Sequence, residues 1–347
     1  MNAPKLRFKE FNNNYLRLKY KDVLKIKSGK DQKQVECENG IYPILGTGGQ
    51  IGKTNSFLYD KPSVLIGRKG TINKPQYMET PFWTVDTLFY SHIYEPNIPK
   101  YLFYSFQSVN WKKYDESTGV PSLSSSTIEG IDCNIPSKEE QLKVANFLSL
   151  LDKKIELQSK KIEDLKLFKL YIRNKIFSGI KTKDKIINTL NYEQPNRYIV
   201  KSDDYLNDEN LIPVLTANKA FILGYCNEDD YYNKGDVIIF DDFTMDSKYV
   251  NFNFKIKSSA IKLLTQKNNN NLKYIFECLQ ALNLESTEHK RYYISIVQEI
   301  EIPVPDIIVQ NKIANLMFTY DKKIKLESDN YNKLIELKKG LMQNMFV

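Results

Sequence analysis

Two stretches of this chain carry the same apolar stripe. Leu148, Leu151, Ile155, Ile162, Leu165, Ile172 and Ile176 recur at steps of three, four or seven, which places them on one face of a helix. Met317, Tyr320, Ile324, Tyr331, Leu334, Leu341 and Met345 occupy the same seven places further on. Polar residues interrupt both stripes at matching points, Gln158 with Glu327 and Lys169 with Lys338. A stripe this narrow, on a helix of roughly 35 to 40 residues and about 55 Å, predicts a second helix as its partner. An ordinary globular helix averages only ~11–12 residues.

The stripes belong to a longer repeat. Gln141-Leu142-Lys143-Val144-Ala145-Asn146 matches Gln310-Asn311-Lys312-Ile313-Ala314-Asn315, and Asp152-Lys153-Lys154-Ile155 matches Asp321-Lys322-Lys323-Ile324. The offset is constant (310 − 141 = 169; 346 − 177 = 169), and no gap is needed between Pro136 and Phe177. A whole structural unit has been duplicated. Upstream of each helix the order also returns. Leu211-Ile212-Pro213-Val214-Leu215 echoes Ile41-Tyr42-Pro43-Ile44-Leu45, Gly235-Asp236-Val237-Ile238-Ile239 echoes Pro62-Ser63-Val64-Leu65-Ile66, and Lys273-Tyr274-Ile275-Phe276 echoes Lys100-Tyr101-Leu102-Phe103. The chain therefore reads as two similar α/β (α+β) domains, residues 1–136 and 179–303, each followed by a long helix, residues 137–178 and 304–347. The internal repeat is pseudo-twofold.

Within the first domain, Asp22–Ile26 is a short helix or strand, Ile41–Leu45 and Ser63–Gly67 are strands, Phe82–Tyr90 alternates as another strand, Tyr101–Val109 is helical and Ser117–Ser126 is a loop. Gly46-Thr47-Gly48-Gly49-Gln50-Ile51-Gly52-Lys53-Thr54 imitates a phosphate-binding loop. The glycine such a loop needs five places before Gly52 is replaced by Thr47, and Pro62 leaves no room for the helix that must follow. A glycine-rich hairpin connection, able to approach DNA closely, is expected instead. The two domains differ most at strand ends, where Arg68-Lys69-Gly70-Thr71 stands against Asp241-Asp242-Phe243-Thr244. One scaffold with two unlike surfaces implies recognition of two different things.

Composition narrows the class. Fifty Lys and Arg against 42 Asp and Glu give a net charge of +8, a mildly basic surface, and 23 Tyr with 18 Phe supply planar side chains for cores or for stacking. Cys37, Cys133, Cys226 and Cys278 show neither a CxxC zinc spacing nor a secreted disulfide pattern. Met1–Lys21 lacks an apolar leader core, and no run of 18 apolar residues occurs. A soluble, cytoplasmic protein with reduced thiols and no membrane partner is expected.

Leu6-Arg7-Phe8-Lys9-Glu10-Phe11, Tyr42-Pro43-Ile44-Leu45-Gly46, Arg68-Lys69-Gly70 and the twice-used Ile-Pro, Gln, Lys, Ala and Asp-Lys-Lys-Ile pattern resemble the specificity subunit of type I restriction-modification enzymes. The likeness covers essentially the full length. It implies two target recognition domains, each reading half of a split double-stranded DNA sequence, and two spacer helices packed antiparallel as a coiled coil. It further implies two methyltransferase subunits docked on the helices, joined by restriction subunits that translocate DNA. S-adenosylmethionine, ATP and Mg²⁺ would serve those partners, with no cofactor in this chain. Outward-facing Lys153, Lys160, Glu163 and Lys333, and the shared Asp152 and Asp321, are the expected docking residues.

On this reading phosphates meet Lys53, Lys74, Lys112 and Lys113 in the first domain and Lys219, Lys248, Lys290 and Arg291 in the second. Bases meet Gln50, Arg68 and Lys69 in the first, and Asn218, Asp241, Asp242 and Thr244 in the second, because arginine pairs with guanine and aspartate accepts from cytosine. Tyr292 and Tyr293 pack on a sugar or cap the core. Two rivals remain. Asp236, Asp241, Asp242 and Asp246 offer ligands for a Mg²⁺-dependent nuclease, although the segment around Arg68 has no such carboxylates. A coiled-coil organiser without a DNA role is the other. No Asn-Pro-Pro-aromatic or glycine fingerprint of a methyltransferase is present, and His92 and His289 lie in no catalytic setting. The chain is expected to be non-catalytic.

Overall fold

The computed structural model describes residues 3–217, 221–286 and 291–346. The chain forms two compact units, one running to Ser159 and resuming at Asp329, the other Lys160–Ser328. Each unit thus takes half of each long helix, a division that falls inside the helices rather than at their ends.

The first unit holds an antiparallel four-stranded sheet in the order Leu24–Ser28, Leu88–Ile93, Ser63–Gly67, Gln76–Met78. A second sheet has the order Gly49–Thr54, Tyr42–Gly46, Trp83–Thr84, the last pair parallel. Leu16–Lys19 pairs with Asp132–Ile135 just before the long helix. The second unit repeats all three sheets: Leu190–Glu193, Ile261–Gln266, Val237–Asp241, Ser247–Val250; then Ile222–Cys226, Ile212–Leu215, Lys255–Ile256; then Lys183–Lys185 with Glu301–Pro303. Among the described residues, the helices of ten residues or more are α1 (Pro99–Ser108), α2 (Lys138–Ser178), α3 (Leu272–Ala281) and α4 (Ile307–Met345).

Two expectations change. Asp22–Ile26 divides into a helical turn Tyr20–Val23 and the strand Leu24–Ser28. Phe82–Tyr90 is not one strand, because the chain turns at Asp86-Thr87 and crosses from one sheet to the other. Alternation reports burial, and both segments are buried, so the pattern runs through the crossing unbroken.

The ends of the apolar stripes serve the domains. Leu148 and Met345 lie in the first unit's core with Leu341 against it, and Met317 lies in the second unit's core with Ile172 and Ile176 against it. The middle positions Ile155, Ile162, Leu165, Ile324, Tyr331 and Leu334 are half-buried, as a helix-pair seam requires, and so is Tyr320. Leu151 is buried too.

Gln141 and Gln310 do one job twice. The Gln141 Oε1 accepts from the Ile98 amide at 2.9 Å while Nε2 donates to the Pro136 carbonyl at 3.1 Å. The Gln310 Oε1 accepts from the Asn271 amide at 2.9 Å while Nε2 donates to the Pro305 carbonyl at 2.9 Å. Each buried amide ties the start of the short helix to the start of the long one.

The helix pair is antiparallel in both units. In the second, Lys161 meets Glu327 at 2.6 Å and Lys169 meets Asp321 at 2.7 Å, so rising positions on α2 meet falling ones on α4. In the first, Lys338 meets Asp152 at 2.6 Å. Asp152 and Asp321 are repeat mates, and so are Lys169 and Lys338, which makes the two ion pairs each other's images. Both shared aspartates are therefore engaged by a lysine of the opposite helix while staying 35% and 50% exposed. The surroundings differ in a balanced way. Asp152 also accepts from the Tyr104 hydroxyl at 2.8 Å. The place of Tyr104 is taken in the second unit by Glu277, 5% exposed, which binds Lys169 at 2.7 Å and Arg173 at 3.5 Å. Arg173 stands where the first unit has Met342. One added buried anion is matched by one added cation, because an unpaired buried charge is costly.

Arg173→Met alone and Glu277→Tyr alone are each expected to destabilise the second unit by ~3 kcal/mol. The double variant rebuilds the first unit's arrangement and should lose clearly less than the sum, a coupling that denaturant unfolding of all four proteins measures.

Candidate nucleic-acid interface

In the first unit three loops meet. The strands Tyr42–Gly46 and Gly49–Thr54 form a hairpin with Gly46 opposite Gly49, whose φ is +117°. The glycine-rich stretch is thus a hairpin turn and opens no helix, which removes phosphate-loop binding. The wholly buried strand Ser63–Gly67 delivers Arg68 and Lys69 to solvent, with the Arg68 amide fixed to the Thr87 carbonyl at 2.8 Å. Gly67 must be glycine, since a Cβ there would lie 2.3 Å from the Thr71 carbonyl oxygen. Gly70, at φ +86°, sits beside the hairpin, where its Cβ would lie 3.8 Å from Thr47 Oγ1.

The third loop precedes Ser125. The Gly70 amide donates to the Pro121 carbonyl at 2.8 Å and the Leu123 amide to the Arg68 carbonyl at 2.9 Å. Asp115 accepts from the amides of Ser122 at 2.9 Å and Ser117 at 3.0 Å. Glu116 accepts from the Thr127 hydroxyl and from the amide and hydroxyl of Ser124. Those backbone donors hold the Asp115 carboxyl below its ordinary pKa, and the Thr127 and Ser124 hydroxyls do the same for Glu116. Arg68, Lys69, Ser122 and Ser124 line a cleft of about 380 Å³. Among the described residues neither Arg68 nor Lys69 has an ion-pair partner, so both guanidinium and ammonium are available to a ligand.

The other first-domain candidates lie apart from that cleft. Gln50 and Lys53 line a groove shared with Glu36 and Glu38, and the Gln50 amide donates to the Gly52 carbonyl at 3.2 Å. Lys74 lines a cleft with Gln107, Lys338 and Lys339 against α4. Lys112 and Lys113 are exposed on a short turn anchored by buried Trp111, immediately before Asp115. The serine loop itself went unassigned in the sequence. Asp115-Glu116-Ser117 is the signal that could have found it, since such residues bond their own backbone in turns.

The second unit repeats the geometry with other chemistry. Strand register sets Gly67 opposite Leu88 and Asp241 opposite Ile261, so Arg68 corresponds to Asp242, one place from the alignment read in the sequence. Asp242, 1% exposed, accepts from the amides of Tyr292 at 2.9 Å and Tyr293 at 2.7 Å and lies 3.6 Å from Lys262 Nζ. Asp241 is also buried and accepts from the Phe243 and Thr244 amides at 2.9 and 3.0 Å. Both carboxylates are consumed inside the fold, which corrects their assignment as base readers. Phe243 and Thr244 are exposed at the tip of the turn, Lys248 is half-buried and Arg291 is exposed. Tyr292 and Tyr293 are core residues, Tyr293 stacking on Tyr192 at 5.6 Å. Asn218, Lys219, Lys290 and His289 lie outside the described residues.

The acidic group expected of a nuclease does not converge. Asp236 and Asp241 end opposite sides of a five-residue strand, ~16 Å apart, and among the described residues no three His, Cys, Asp or Glu are placed to hold a metal. Burial pushes the Cys133 and Cys278 thiols up to about 12, which leaves them poor nucleophiles. Among the described residues no helix is long and apolar enough to cross a membrane.

The model of the type I restriction modification DNA specificity domain matches residues 13–167 and again 176–337. The chain belongs to that family. One curated relative, the EcoR124I/EcoR124II specificity subunit of Escherichia coli, is 44% identical over 140 residues, 36% of this chain. The match spans about a third of that relative's length, 34%. The solved type I S subunit from M. genitalium shares the fold with a TM-score of 0.73 at 17% identity, covering 99% of both chains. A chain solved in work on assembly and conformational transition of the type I system aligns with a TM-score of 0.56 at 11% identity, over 96% of this chain and 97% of its own.

Asp242→Asn is expected to cost ~3 kcal/mol of stability by leaving Lys262 buried without its anion, whereas Arg68→Ala changes stability by less than ~0.5 kcal/mol; thermal unfolding distinguishes them. Because the Asp115 and Glu116 pKa values are depressed, their hold on the serine loop is complete at neutral pH and lost as pH falls below ~4. Amide shifts of Ser117 and Ser122 followed from pH 7 to 3 should report that loss, and Asp115→Asn should abolish the transition.

Proposed function

We propose that this chain is the DNA-specificity subunit of a type I restriction-modification complex, and that each unit reads one half of a split double-stranded target. The observation that carries the reading is one framework built twice, with the turn after the buried strand carrying Arg68 and Lys69 in one unit and Phe243 and Thr244 in the other. In the first unit, Arg68, without an ion-pair partner among the described residues, is suited to the N7 and O6 acceptors of guanine, with Lys69 beside it and Ser122 and Ser124 as adaptable donors. Lys112 and Lys113 meet phosphates next to that cluster. In the second unit, Thr244, Lys248 and Arg291 are the described candidates for DNA contact.

The four-part division, with recognition domains 1–136 and 179–303 and spacers 137–178 and 304–347, remains our functional division. The spacers act as a ruler, with α2, 41 residues, about 62 Å long. Lys153, Lys160, Glu163 and Lys333 are exposed on it. So are repeat-matched apolar residues: Phe147 with Leu316, Leu157 with Leu326, and Phe168 with Leu337. Matched exposed apolar pairs fit two copies of one partner, the methyltransferase subunit, and restriction subunits would join that core. In this reading the chain has no catalytic group and no cofactor of its own; S-adenosylmethionine, ATP and Mg²⁺ act in the partners, in the cytoplasm.

Inserting seven residues after Ser159 and seven after Ser328 should add ~10.5 Å, or ~3 base pairs, to the gap while leaving both half-sites unchanged. Sequencing of methylated DNA from cells carrying the complex reads this directly. A coiled-coil organiser would instead give no DNA binding, and no steep loss of affinity with rising salt, in a gel-shift titration with its partners present.

A further inference from the structure

We infer that Phe243, with the methyl of Thr244, reads the 5-methyl group of a thymine in the half-site of the second unit. The inference rests on the DNA-reading role proposed for the two units and gives one of the two half-sites a chemistry. Phe243 is 37% exposed at the tip of the connection between Val237–Asp241 and Ser247–Val250. A phenyl group held out to water gains nothing from its apolar surface until a partner covers it.

The tip is rigid. The Phe243 and Thr244 amides are both bound to Asp241 Oδ1, the following Met245 is packed against the domain core, and Asp242 pins the turn to Tyr292 and Tyr293. Side chains on a preorganised turn lose little freedom on binding. Asp241 and Asp242 face inward, so the exposed carboxylate of this turn is Asp246, on the far side of Met245 from Phe243 and Thr244. In the first unit the same connection carries Arg68 and Lys69 instead. Polar donors suit purine acceptors, while the thymine methyl is the one apolar group on a base edge in the major groove, and Phe and the Thr methyl are the side chains that fit it.

The test uses the full chain with its methyltransferase subunits. A randomised duplex library first defines the two-part motif, and each thymine of the motif is then replaced by deoxyuridine, which lacks only the methyl. Arg68→Ala assigns the first unit's half-site as the one whose preferences it alters. In the other half-site, one deoxyuridine should weaken binding about four-fold, the worth of one covered methyl at ~0.8 kcal/mol. Phe243→Ala should erase that difference without altering the first half-site, and Phe243→Leu should keep part of it. Equal binding of thymine and deoxyuridine throughout the second half-site, or a difference that survives in Phe243→Ala, overturns the inference while the two-domain reading stands. A selection that returns no two-part motif defeats both.

Discussion

The reciprocal ion pair between the long helices is the constraint on which the rest depends. Lys338 binds Asp152 in one unit and Lys169 binds Asp321 in the other, and each pair joins residues from different halves of the sequence. Neither unit can be completed by its own repeat alone. A duplicated segment whose contacts were all internal would give two independent beads. Here each long helix supplies its first half to one core and its second half to the other, through Leu148 and Ile176 on α2 and through Met317 and Met345 on α4.

Within that constraint, the residues that build the frame and those free to vary separate cleanly. Gln141 and Gln310 make the same bonds to the start of a short helix, and Phe177 and Phe346 meet Tyr274 and Tyr101 edge-on or tilted at 5.6 and 5.4 Å. Where the copies differ inside the frame, the difference is compensated, as when Glu277 replaces Tyr104 and Arg173 replaces Met342. At the loops no compensation between units is needed. The first unit holds its third loop with Asp115 and Glu116, whereas the second holds the equivalent loop with Asp242. With Asp242 in the place of Arg68, the exposed side chains of the turn include a guanidinium and an ammonium in one unit and a phenyl group and a threonine in the other.

This also explains how one frame, built twice in this chain, can carry loops of unlike chemistry. The fully buried strands Ser63–Gly67 and Val237–Asp241 fix where the turn emerges. Burial on both faces makes their register insensitive to the residues of the turn itself. Loop residues can then change with little cost to the sheet, provided one acid still satisfies the backbone amides of the docked loop.

The repeat, its offset, the long helices, the seam positions and most strands were legible in the sequence, because burial imposes a period and a period can be read from a single chain. The fold family was legible for the same reason, in its duplicated order. The sequence did not determine which way a polar side chain at a turn would point. Asp241 and Asp242 read as outward base contacts and face inward: Asp241 closes on the Phe243 and Thr244 amides of its own turn, and Asp242 binds amides about fifty residues away, at Tyr292 and Tyr293, that come within reach only after folding. Asp152 and Asp321 were legible as a repeated pair, but their lysine partners on the antiparallel helix were not. The Asp115-Glu116-Ser117 turn is a local signal, but the serines it orders gained their place beside Arg68 through the Gly70–Pro121 and Leu123–Arg68 backbone bonds, between residues about fifty apart in sequence. Periodicity records a residue's need for burial; the satisfaction of a charge or an amide depends on partners remote in sequence, and only the tertiary structure brings them together.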